Sequence, residues 1–150
     1  MGTITVGINR EWLNDQRIVC YSLEGLTVHA MIEWGEEITK TLGTWPSDSK
    51  YLAIHDLSKT GVSLTLLVLT GFNILDPGVT PSAQARVETI LRQRPKLEIK
   101  LAIILPLSMS GQITTKRGKS SNPNNKQIDS RIYNERESAL EWLTAYIAEG

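Results

Sequence analysis

Cysteine and histidine are scarce: Cys20 stands alone, and His29 and His55 are the two histidines in 150 residues. One thiol makes no internal disulfide and no cysteine-rich zinc site, and two separated histidines do not add a metal centre. Cys20 falls in the apolar run Ile18-Val19-Cys20-Tyr21, which predicts a buried structural thiol. An excess of one charge is also missing. Lys+Arg is 16 and Asp+Glu is 16, for a formal net charge of +0. No global field steers the chain onto nucleic acid or an anionic membrane. Long apolar runs are absent too. The longest, residues 62–75, is broken by Ser63, Thr65, Thr70, Gly71 and Asn73, so no transmembrane segment is expected. The opening MGTITVGINREW has no signal-peptide core, and Val6 stands where a myristoylation signal takes Ser or Thr. These absences predict a cytoplasmic protein with no nucleic-acid partner.

What is present is ordinary globular material, with 41% hydrophobic and 21% charged residues. That composition and length fit a single domain over 1–150. Residues 3–9 alternate, with Ile4, Val6 and Ile8 on one face, and predict a half-buried strand. Asn14-Asp15 is turn chemistry, and 17–23 is a second strand, so an antiparallel hairpin is expected. A helix follows from a Thr27 cap. Val28, Met31, Ile32, Ile38 and Leu42 are its inward positions, and Gly35 on the same stripe predicts close approach to a sheet. Gly43 and Pro46 end it. Residues 50–57 are apolar on both faces, as in a central strand.

Residues 61–75 predict a short helix. Thr80-Pro81 opens another, with a hydroxyl cap and proline in the first turn. Ala83, Val87, Ile90 and Leu91 face inward there, while Arg86, Arg92 and Arg94 are solvated. Residues 97–105 and 128–133 predict strands, separated by a flexible polar loop over about 109–127. Asn134 to Glu137 has capping-box spacing. The last helix then buries Ala139, Leu140, Leu143, Tyr146 and Ile147. The order predicts an α/β fold: a single mixed, largely parallel sheet of about five strands, an N-terminal antiparallel hairpin, and helices packed on it.

Chemistry-bearing patterns are thin. His55 and Asp56 are an adjacent acid–base pair at the end of an apolar strand, where open α/β folds place ligands. Neighbours on a strand point to opposite faces, so the two do not form a dyad. There is no G-x-S-x-G elbow. Gly118-Lys119-Ser120 lacks the P-loop glycine spacing and a following helix, so no nucleotide is expected. Lys116, Arg117, Lys119 and Lys126 are a weak basic cluster. Leu66, Leu67, Leu69 and Phe72 exceed what one inward stripe needs. They predict a dimer contact or the wall of an apolar pocket, with a deeply buried helix as the alternative.

Three pieces carry a family resemblance. They are the hairpin followed by an amphipathic helix, the strand Tyr51-Leu-Ala-Ile-His-Asp-Leu-Ser58, and the ending Arg131-Ile-Tyr-Asn-Glu-Arg-Glu-Ser-Ala-Leu-Glu-Trp-Leu143. In these the chain resembles the STAS-like group of bacterial domains, which includes anti-sigma-factor antagonists and their SEC14-like relatives. The resemblance implies a non-enzymatic regulatory or protein-interaction module, without cofactor, that binds a protein partner or a second copy. It also implies a partner-binding or phosphorylation region at the end of the strand, here Asp56, Ser58, Lys59, Thr60 and Ser63. The family's usual Asp-Ser-Ser or Asp-Ser-Gly is replaced by Asp56-Leu57-Ser58. A carrier of a small apolar ligand or lipid is the alternative implied by the SEC14-like members, and a hydrolase using His55 is a weaker one.

Overall fold

The computed structural model describes residues 3–5, 8–23, 28–46, 48–58, 76–105 and 126–149. Among these, six strands form one sheet: β1 (Thr3–Thr5), β2 (Ile8–Leu13), β3 (Ile18–Leu23), β4 (Tyr51–Asp56), β5 (Ile99–Ile104) and β6 (Ile128–Tyr133). They lie side by side in chain order. The first three are antiparallel neighbours, and β3 through β6 run parallel. Five strands have six residues each, and β1 adds a three-residue edge. The α/β fold with an N-terminal hairpin and a largely parallel sheet is thus present. Among the described residues, three helices pack on it: α1 (Val28–Gly43), α2 (Pro81–Gln93) and α3 (Arg136–Glu149).

The helices divide between the two faces. Residues of α1 and α2 share one core with Val19, Tyr21, Tyr51, Ala53, Leu101 and Ile103. Ala139 and Leu143 of α3 share the other with Ile18, Cys20, Leu52, Ile54 and Ile104. Same-handed crossovers between successive parallel strands put α1 and α2 on one side, which leaves the opposite side to α3. This explains why β4 and β5 are apolar at nearly every position: both of their faces are covered.

Several expectations are corrected. Residues 3–9 are not one strand. They divide between β1 and the start of β2, and β2 continues to Leu13 to pair with β3. Arg10 and Glu11 are charged and not β-branched, so propensity underrates this strand although Trp12 favours it. In α1, Ile32 is 47% exposed and does not face inward as expected, whereas Trp34 is fully buried. The inward stripe runs through Met31, Trp34, Ile38 and Leu42, at helical spacing.

Gly35 meets a helix instead of a sheet. A Cβ there would lie 2.9 Å from Thr80 Oγ1 and 3.0 Å from Ala83 Cβ, so α1 abuts the first turn of α2. That turn forms as its sequence predicts. Thr80 Oγ1 accepts from Ala83 N at 3.3 Å, and Pro81 occupies the first turn. Arg94 is not solvated. Its guanidinium donates to Leu42 O at 3.1 Å and to Trp45 O at 2.8 Å, satisfying carbonyls at the end of α1. Finally, α3 begins at Arg136, so Asn134 stands one residue ahead of the cap position and the capping box is misplaced.

Candidate functional site

The parallel strands all end at one edge of the sheet, and the residues just past that edge are tied together. Leu57 N donates to Ile104 O at 2.9 Å, and Leu105 N donates to Tyr133 O at 3.0 Å. Leu57 itself is fully buried. The chain therefore leaves β4 from a rigid frame. The next feature is a tight turn. Asp56 Oδ1 accepts from the Ser58 backbone N–H at 3.0 Å and from the Ser58 hydroxyl at 2.6 Å. A short carboxylate side chain folding back on the backbone two residues on is what Asp does at strand exits. Ser58 is exposed and Asp56 half-buried. Asp56 and Ser58 are brought together as the sequence places them. Lys59, Thr60 and Ser63, with Leu66, Leu67, Leu69 and Phe72, lie outside the described residues, as do the short helix expected over 61–75 and Lys116, Arg117 and Lys119. Lys126 is exposed.

His55 points to the other face of the sheet. Its ring meets Trp34 edge to face, with centroids 4.6 Å apart, and Tyr21 at 5.9 Å. It is wholly buried, and among the described residues neither ring nitrogen has a hydrogen-bond partner. Burial pulls its pKa down to about 3, so the ring is neutral at ordinary pH. A general base must lie within hydrogen-bond reach of a transferable proton and is commonly oriented by a second group. His55 instead packs as an aromatic. Around it, Tyr21 OH shares a 2.9 Å hydrogen bond with Thr41 Oγ1, and burial pushes its phenol up to about 12. Tyr51 is also fully buried, and burial holds its phenol well above the ordinary range.

Cys20 and His29 are occupied elsewhere. Cys20 is buried, with Arg136 Nη2 at 2.9 Å from Sγ, and that same nitrogen donates to Glu11 Oε1 at 2.6 Å. Burial pushes the thiol up. His29 is exposed and lies 3.0 Å from Glu33 one turn along α1. Among the described residues no three His, Cys, Asp or Glu side chains converge as a metal site, and no helix is long and apolar enough to cross a membrane.

Sequence reasoning missed two aromatic arrangements. One is the Trp34–His55 contact, which joins α1 to β4. The other is a stacked pair, Trp12 and Trp45, beside the hairpin. The alternation of Arg10 and Trp12 in β2 was the available signal for the second. With this geometry in view, comparison adds no relative: no family model, no curated protein and no solved structure matches the chain.

Proposed function

We propose that the protein is a non-enzymatic regulatory module of the STAS-like kind, which binds a protein partner at the carboxyl edge of its parallel strands. The observation that carries this proposal is the Asp56–Ser58 clamp. An exposed hydroxyl is held 2.6 Å from a carboxylate on a turn anchored by a buried Leu57. A rigid scaffold presenting a small polar loop is a common way to build a recognition surface. The same clamp makes the surface switchable. A negative group on the Ser58 oxygen would face the Asp56 carboxylate and force the turn open by like-charge repulsion. The family resemblance supports the same edge, and the order of elements along the chain agrees with it.

Native mass spectrometry of gently purified protein tests this reading, using wild type beside Ser58→Ala and Ser58→Glu. The module reading expects a stoichiometric protein complex or homodimer that Ser58→Ala keeps and Ser58→Glu loses. A co-purifying apolar molecule on a monomer, unaffected by Ser58→Glu, would support the carrier instead.

A further inference from the structure

We propose that the hollow between the β2–β3 hairpin and α1 binds a small planar aromatic anion. The site is separate from the Asp56–Ser58 turn. Its floor is a rigid aromatic platform. Trp12 and Trp45 stack with centroids 6.0 Å apart and planes 23° from parallel. Trp45 is buried and fixed twice: its Nε1 donates to Lys50 O at 2.9 Å, and its ring meets Tyr51 edge to face at 4.8 Å. Trp12 is 40% exposed, although it rests on this anchored ring. A tryptophan held in place with much of its surface in water is a ready stacking surface. The hollow has a volume of about 310 Å³, enough for one small molecule.

The polar lining sets the ligand's charge. Arg10 and Glu37 neutralise each other through a 2.7 Å ion pair, with Arg10 also 6.0 Å from the Trp12 ring. Lys40 lines the same hollow, is exposed, and has no ion-pair partner among the described residues. Two cations therefore meet one carboxylate, which disfavours a cationic guest and favours an anion. Gln16 completes the rim. It sits at the end of three consecutive left-handed residues, with φ of 51° at Asn14, 56° at Asp15 and 65° at Gln16. Asn and Asp adopt that conformation readily, whereas Gln does so at a cost. The hairpin thus brings Gln16 to the rim of the hollow.

Two sources share this chemistry, a nucleotide and an aromatic acid. The test uses adenosine monophosphate, adenosine, 2-naphthoate and inorganic phosphate. The indole N–H signals of Trp12 and Trp45 are followed by ¹H–¹⁵N NMR on the full chain. Saturable shifts of both indoles with adenosine monophosphate assign a nucleotide source, and shifts with 2-naphthoate alone assign an aromatic acid. In either case phosphate should leave both signals in place. Trp12→Ala should weaken binding roughly tenfold or more, because base stacking is lost. Lys40→Glu, at an exposed position, should leave the native spectrum intact and weaken binding by roughly severalfold. It serves as the second variant if Trp12→Ala does not fold. Absence of indole shifts with both aromatic anions would overturn the proposal. So would adenosine binding as tightly as its monophosphate with Lys40→Glu without effect.

Discussion

Trp34 of α1 meets His55 of β4 edge to face at 4.6 Å, and this contact fixes what the histidine does. The ring is neutral, fully buried and part of the core. Its charging is linked to unfolding. The folded pKa is about 3 against an ordinary 6.5, so the unfolded chain binds a proton that the native chain refuses. Stability is therefore full above about pH 6.5. It falls as pH drops toward about 3, by about 1.4 kcal/mol per pH unit inside that window. Urea titrations at a series of pH values should show this slope in wild type. His55→Phe should remove that component and cost little at neutral pH, since an apolar ring replaces nitrogens that have no hydrogen-bond partner among the described residues. An unchanged slope in the variant would count against the burial account.

Gly35 tests the helix–helix contact. Alanine ordinarily strengthens a helix by about 1 kcal/mol over glycine. Here its Cβ would press on the Thr80 cap and Ala83, and overpacking costs about 1–3 kcal/mol. Gly35→Ala is expected to lower stability by about 1 kcal/mol net, seen as a lower urea midpoint. A raised midpoint would mean that the two helices are further apart.

Arg94 ties the end of α2 to the end of α1 through two carbonyls. Arg94→Met keeps the stem and removes both donors, at a cost of about 2 kcal/mol for charge-assisted bonds to backbone. Arg94→Lys should recover only part of this, because an ammonium does not span both carbonyls as the planar fork does. Thermal melts of the three proteins check the ranking.

Cys20 is expected to resist alkylation. It is buried, and burial pushes its pKa up, so little thiolate is available. Iodoacetamide should label the native protein far more slowly than the urea-unfolded chain. Arg136→Met should leave the native thiol protected, since β3 and α3 still cover it.

Local patterns were the legible part. Thr80-Pro81, the apolar run of β4 and the short strand β6 each announce themselves within a few residues, and the structure has them there. Ile32 is expected inward and lies outward because the placement of a helix stripe depends on what lies across from it. Trp34 finds His55 and Tyr21, which only the folded sheet brings near. Arg94 looked solvated for the same reason, since its carbonyl partners, Leu42 and Trp45, lie at the end of α1 and just beyond it. At the candidate site, Asp56 and Ser58 are two residues apart, so their turn was visible locally. The Trp12–Trp45 stack joins the hairpin to the exit of α1, and no short window of sequence contains both.

The most direct test of the proposed function is site-specific photo-crosslinking in the host cell. A benzoylphenylalanine is placed at Ser58 in one protein and at Glu141, exposed on α3 across the sheet, in another. The account predicts one recurrent protein adduct, either a partner or a second copy, from position 58 and none of that mass from position 141. Equal adducts from both positions, or none from position 58, would contradict it.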